Sequence, residues 1–341
     1  MYSFKNDYSQ GAHPNILKSL TDTNFVQQTG YGEDEYSLKA KDLLKEKMEN
    51  PTAEIHFVSG GTQANLLVIS SILRTHEAVI SAKTGHIYAN EAGAIELTGH
   101  RIITVETAEG KLVPSDIQKA VNQHLQRPHV VKPKMVYISN STEIGTIYTK
   151  SELEALSVMC KSLELFLFLD GARLGHALTA KNSDLTLADI SRLTDVFYIG
   201  GTKNGALLGE AIVFNNLSLG QEFDYILKQR GALLAKGRLL GIQFLELFKD
   251  DLYFVLAERA NMLAMQITEA IAQEGYTFLA ESTTNQIFPI LPKILIEKLE
   301  QKYSFHIWKE MDVETSTIRL ITSWETDEEM VNNLIKDIRE S

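Results

Sequence analysis

Lys203 and Asp170 each close an apolar run: Asp195-Val-Phe-Tyr-Ile-Gly-Gly-Thr leads to Lys203, and Leu165-Phe-Leu-Phe-Leu leads to Asp170, with Gly171-Ala172-Arg173 beyond it. An acid and a lysine at the ends of successive strands are what pyridoxal phosphate chemistry requires. The amine bonds the aldehyde carbon, and the carboxylate keeps the ring nitrogen protonated and electron-withdrawing. An acid after five apolar residues must pair with a cation or face a cleft, because burying a lone carboxylate is costly. Arg173 could be that partner, or could hold a substrate carboxylate through its two-pronged donor geometry. Gly200-Gly201-Thr202 before Lys203 and Asn204-Gly205 after it let a backbone pass close to a ligand.

A second feature is Gly60-Gly61-Thr62-Gln63-Ala64-Asn65, which opens a helix directly after a strand. Free amides, a hydroxyl and the positive end of the helix dipole converge there, which makes a phosphate cup, although two glycines before a helix also serve simply as a turn. Neither GxGxxG nor a lysine-bearing P-loop is present here, which argues against a dinucleotide or nucleoside triphosphate site. His86, in Gly85-His-Ile-Tyr-Ala-Asn-Glu91-Ala-Gly93, follows a strand. Such a histidine is either a satisfied polar contact or, if a cofactor lies over the sheet ends, an imidazole that stacks on its ring and moves protons.

The elements that must position these residues alternate. Glu35 to Glu49 reads as a helix stopped by Asn50-Pro51, Glu54–Val58 as a strand, and Thr62 to about Arg74 as a helix. Ala78–Ser81, Arg101–Val105, Met135–Ser139, Leu165–Leu169, Val196–Ile199 and Ala211–Phe214 read as further strands. Helices near Ser115–Leu125, Ser151–Leu163 and Leu185–Leu193 separate several of them. The pattern predicts an α/β fold whose mostly parallel sheet is covered on both faces and takes its ligand at the carboxyl ends of the strands. From about Leu219 long helices follow, one to Arg230, then Leu233–Lys249 and Leu252–Glu274. Strands near Ile287–Ile290, Phe305–Trp308 and Thr317–Ile321 and a last helix from Thr326 then suggest a small α+β domain. The expected boundary lies near residue 245, giving a large domain over 1–245, N-terminal segment included, and a small one over 246–341.

Composition narrows the function classes. The 341 residues are 44% hydrophobic and 23% charged, ordinary for a globular protein. No run approaches the roughly 20 apolar residues of a membrane span and the first residues carry no secretory apolar region, so a cytoplasmic protein is expected. A net charge of -11 without a basic cluster argues against nucleic acid or an anionic membrane as partner. The one cysteine, Cys160, can form neither an internal disulfide nor a multi-thiolate metal site, and its apolar spacing fits a helix packed on the sheet. The nine histidines show no metal-ligand spacing, so no catalytic metal is expected.

Taken in order, Gly61-Thr62 with Asn65, His86-Ile with Glu91-Ala-Gly-Ala, Asp170-Gly-Ala-Arg173, Thr202-Lys203 and Thr317-Ile-Arg319-Leu-Ile-Thr-Ser resemble the L-threonine aldolase family of fold-type I pyridoxal phosphate enzymes, within the β-eliminating lyase group. The similarity runs through nearly the whole chain, including Tyr31-Gly32-Glu33-Asp34. It implies that Lys203 bonds the cofactor, Asp170 binds its ring nitrogen, Gly61 and Thr62 hold its phosphate beside Gly60 and Thr202, and His86 stacks on the ring. Arg173, at the edge of the cofactor site, and Arg319 are implied to grip the amino-acid carboxylate. Tyr31 and Lys236 resemble parts that reach into a neighbouring subunit's site, in a homodimer or a homotetramer of catalytic dimers. Three stretches depart from the family. Asn6-Asp7-Tyr8 replaces Ser-Asp-Thr, so that the amide of Asn6 is expected at the substrate; Ser139-Asn140-Ser141-Thr142-Glu143 replaces a stretch ending in histidine; and the Gly-Gly-Gly-Met-Arg run gives way to one ending in Lys236 as a phosphate contact.

The activity implied is retro-aldol cleavage of an L-β-hydroxy-α-amino acid such as threonine or allo-threonine to glycine and an aldehyde. His86, through water or directly, is the first candidate for the base on the β-hydroxyl, and Glu91 the second. Two alternatives remain at this level: a β-eliminating lyase releasing a keto acid and ammonia, and an amino-acid or cofactor sensor without turnover.

Overall fold

The computed structural model describes residues 1–340. A two-residue strand, β1 (Tyr2–Ser3), opens the chain. The central sheet follows, with strands β2 (Glu54–Val58), β3 (Glu77–Ala82), β4 (Arg101–Val105), β5 (Lys132–Ser139), β6 (Phe166–Asp170), β7 (Val196–Gly200) and β8 (Glu210–Phe214) in the spatial order β2-β8-β7-β6-β5-β3-β4. Only β8 runs antiparallel to its neighbours. Every residue of β3, β7 and β8 is buried, as expected of a sheet covered on both faces, where strands become continuous apolar runs rather than alternating ones. Side chains still sort by parity: Ala78 and Ile80 enter the core that holds Leu44, Phe244 and Phe248, whereas Val79 enters the one that holds Leu67, Val68 and Phe223.

The helices Glu35–Lys47 and Arg238–Lys249 pack closely enough that a Cβ on Gly241 would meet Ser37 at 2.2 Å. The expected helix over Leu219–Arg230 is instead two short ones, Leu217–Gly220 and Phe223–Gln229, parted where Glu222 takes a positive φ of 64°. The next helix begins at Arg238 rather than Leu233, because Leu233 packs on the second core from an irregular segment.

The remaining strands are β9 (Thr277–Phe278), β10 (Gln286–Ile287), β11 (Pro289–Pro292), β12 (Tyr303–Ser304), β13 (His306–Glu310) and β14 (Thr315–Ile321). They build an antiparallel sheet, β10-β14-β11-β9 with β13 on β14, while β12 pairs with β1. A third apolar core joins this sheet to Leu263, Ile267 and Ile271 of the helix Leu252–Gln273, to Val331, Leu334 and Ile338 of the last helix, and to Phe4 from the chain start. Residue 245 lies within Arg238–Lys249, whose Phe244, Leu247 and Phe248 belong to the first core. The fold class is thus the expected one, a mostly parallel α/β sheet with a smaller antiparallel sheet. The first residues run from β1 back across the sheet ends, carrying Asn6, Asp7 and Tyr8 to the cleft between them.

Candidate active site

Asp170 ends β6 and is 4% exposed. Its Oδ2 accepts from the Tyr137 hydroxyl at 2.6 Å and the Asn65 amide at 3.1 Å, and its Oδ1 from the Ala172 N–H at 3.0 Å. Burial alone pushes a carboxyl up, but the His86 charge, the Tyr137 and Tyr198 hydroxyls and the Ala172 amide outweigh it and hold Asp170 below the usual carboxylate range. A buried carboxylate kept ionised by the His86 charge and these donors is suited to receive a protonated ring nitrogen. Arg173 is not its partner.

Lys203 follows β7, one strand over. The crossing of the two strand ends depends on glycines: a Cβ on Gly171 would stand 1.9 Å from the Tyr198 carbonyl oxygen and one on Gly200 2.4 Å from that of Ala172, and the Gly200 N–H donates to the Gly171 oxygen at 2.9 Å. Burial, and then the Arg173 charge, push the Lys203 ammonium below its usual range despite Asp7, Asp170 and Glu210. A lysine so placed gives up its proton more readily than a solvated one, as a nucleophilic amine must. Glu210 at the start of β8 was not legible as a site residue. Thr202 donates to its Oε1 at 2.9 Å and accepts from the Gly209 N–H at 3.0 Å, while Glu210 Oε2 is buried without a partner. Burial pushes its carboxyl up.

The helix Gly61–Ile72 starts at Gly60 with no side-chain cap, and its first paired amide outside the helix ladder is Ala64 to the Gly60 oxygen. The amides of Gly61, Thr62 and Gln63 are therefore open donors at a positive helix end, and Gly60, Gly61 and Thr62 all line the cleft. His86 opens the short helix His86–Ala89 after β3. Its Nδ1 lies 2.8 Å from Glu91 Oε1, which also accepts from Asn65 at 2.7 Å. Glu91, expected as a proton carrier, has a fully buried side chain behind His86 and is not on the cleft wall; it orients the imidazole instead.

At the far end, Arg173 is held by Asp7, with Nε to Oδ2 at 2.7 Å and Nη2 to Oδ1 at 3.1 Å. Asn285 donates to the same carboxylate at 2.9 Å. Burial opposes ionisation of Asp7, but the charges of Arg173 and Lys203 hold it far below the usual range. Arg319, on β14, has no carboxylate within ion-pair distance among the described residues; its guanidinium sits 5.1 Å from the Trp308 ring and its Nε is buried and unpartnered. Asn6 lines the cleft, but its Oδ1 is turned back to accept from the Tyr8 N–H and the Ser9 hydroxyl. Tyr31 and Lys236 do not reach this cleft. Tyr31 is half exposed with Lys228 over its ring at 4.5 Å, and Lys236 is exposed on the same side of the fold.

Together the strand ends enclose a cavity of about 670 Å³, within the usual range for small-molecule sites. It offers an anion cup, an ionised buried acid, a buried lysine amine, an imidazole and two guanidiniums. That donor set matches a group carrying a phosphate, a ring nitrogen and an aldehyde, together with an amino-acid carboxylate. Among the described residues no cluster of three or more histidine, cysteine, aspartate or glutamate side chains is placed to hold a metal ion, and no helix is long and apolar enough to cross a membrane.

Comparison with known proteins agrees with this donor set. The β-eliminating lyase family model matches residues 16–293. The low specificity L-threonine aldolase of Pseudomonas aeruginosa is 32% identical over 340 residues, covering 98% of this chain and 96% of that protein. A solved threonine aldolase from Leishmania major superposes with a TM-score of 0.98 at 46% identity, covering 100% of this chain and 99% of that one. Aspartate aminotransferase from Thermus thermophilus shares the fold, with a TM-score of 0.71 at 12% identity over 100% of this chain and 91% of that one.

Proposed function

The chain belongs to the β-eliminating lyase family, in its threonine aldolase group, and from that premise we propose that it cleaves L-threonine and related L-β-hydroxy-α-amino acids to glycine and an aldehyde with pyridoxal 5'-phosphate as cofactor. Members of this group depend on that cofactor, and the open amides, the ionised Asp170 and the amine of Lys203 fit its three handles. Bound here, it supplies an electron sink for the bond broken at the α-carbon.

The protein's part is binding, orientation and proton control. Lys203 holds the aldehyde carbon, its ammonium made easier to discharge by burial. Asp170 holds the ring nitrogen and keeps a proton there, since two tyrosine hydroxyls and two amide donors stabilise its charge. The amides of Gly61 and Thr62 hold the phosphate, with Gly60 giving the backbone room. His86, steered by Glu91, covers the ring. Arg319 takes the substrate carboxylate, and Arg173, fixed in place by Asp7, takes its other edge. That grip orients the α-carbon so that the bond to the β-carbon is the one that breaks.

The observation that carries this reading is the pair Asp170 and Lys203 on adjacent strand ends of one cavity, each buried and each shifted toward the charge state the chemistry needs. Purified protein loaded with pyridoxal phosphate and given L-threonine should release acetaldehyde and glycine in equal amounts. Release of a keto acid and ammonia instead, or a spectral change with no product, overturns it. Tyr31 and Lys236, exposed and away from this cleft, fit a shared site completed by a neighbouring subunit. We propose a dimer or tetramer on that basis, measurable by light scattering. A cytoplasmic location is consistent with a small-molecule substrate.

A further inference from the structure

Glu143 stands on the loop after β5 and lines the same cavity. Its Oε1 is anchored twice, by the His86 N–H at 2.8 Å and the Ser139 hydroxyl at 2.7 Å. Among the described residues no other residue donates to its Oε2 and no cation pairs with it; the remaining donor to the carboxyl is Glu143's own amide. Leaving a half-satisfied carboxylate on a partly buried wall is costly unless it has a use. The other acids at the site are spoken for: Asp170 by the ring nitrogen, Asp7 by Arg173, Glu91 by His86 from behind the wall, and Glu210 by Thr202 with its second oxygen sealed from the cavity. The His86 imidazole has Nδ1 tied to Glu91, and in the proposed reading its face lies on the ring.

Resting on the threonine aldolase reading above, we infer that Glu143, not His86 or Glu91, takes the β-hydroxyl proton of the substrate. The O–H proton passes to Glu143 Oε2, the freed oxygen pair becomes the carbonyl bond of the leaving aldehyde, and the Cα–Cβ pair stays with the α-carbon. One proton is taken from oxygen and one is taken up by the glycine carbon, so no further reactant is needed. Burial, with the Asp170 charge adding to it, pushes the Glu143 carboxyl above its ordinary range despite the hydrogen bonds from Ser139 and the His86 and Glu143 amides. That makes it a stronger base than a solvated carboxylate, as general-base catalysis near neutral pH favours.

The test is Glu143→Gln in the loaded enzyme. Glutamine Oε1 keeps both anchoring hydrogen bonds and only the proton-accepting oxygen is lost. Aldehyde release from L-threonine should fall by about 10²- to 10⁴-fold. Glycine affinity, read from the cofactor's absorption, and exchange of glycine's α-hydrogen with deuterated solvent should be unchanged, because neither involves a β-hydroxyl. Unchanged aldehyde release overturns the inference, and so does a parallel fall in glycine affinity and exchange, which marks Glu143 as scaffold only. If the wild type itself releases no aldehyde, the functional reading has failed and the inference with it.

Discussion

Asp7 and Arg173, 166 residues apart in the chain, meet through two hydrogen bonds of 2.7 and 3.1 Å on the wall of the cavity, which leaves Arg319 as the guanidinium there without a carboxylate. One arginine is therefore fixed and partly neutralised, and the other is left to a ligand. The Asp7 side chain is wholly buried and that of Arg173 nearly so, so Asp7→Asn strands a cation. Removing one member of a buried pair costs about 3–5 kcal/mol. Thermal or denaturant unfolding should register that loss, and KM for threonine should rise because Arg173 is no longer held in register.

Arg319 gives the complementary prediction. Replacing it with glutamine removes a charge-assisted contact worth about 1.5–3 kcal/mol, so glycine should bind roughly 10- to 150-fold more weakly. Cofactor retention should not change, because no cofactor handle reaches β14. A titration of glycine followed by absorption, beside a cofactor content measurement, separates the two effects.

Glu210 sets a pH dependence of stability in protein freed of cofactor. Its carboxyl is raised by burial from 4.5 to about 8, so the folded state keeps a proton that the unfolded chain has already lost. The contribution is complete below about 4.5 and drains away as pH climbs through about 8. Lys203, pushed down by burial, slopes the opposite way, so the readout is a difference. The melting temperature of Glu210→Gln relative to wild type should rise steadily between those two pH values; a flat difference means Glu210 does not hold the extra proton.

Much of the frame was legible because it is local. Glu54–Val58 and Arg101–Val105 are strands at the residues their apolar runs predicted, and Asp170 ends one strand that such a run delimits while Lys203 follows another. What escaped was long-range or irregular. Nothing near Asp7 announces a partner at Arg173, and Arg173 itself read as a possible mate for Asp170 three residues away. Glu210 sat unremarked before Ala211–Phe214, since only the antiparallel pairing of β8 with β7 brings it beside Thr202. Trp308 reaches the cavity where the β13–β14 register shifts between Ile307 and Lys309, a bulge that leaves no compositional trace. Glu91 was read as the second candidate base, yet its position five residues after His86 places it behind the imidazole.

The central claim is the bond between Lys203 and the cofactor, and reductive trapping tests it most directly. The loaded protein is treated with borohydride, digested and read by mass spectrometry. The account predicts a pyridoxyl phosphate label on the peptide carrying Lys203, absent from Lys203→Ala. No label, or a label on another lysine with Lys203 untouched, contradicts it.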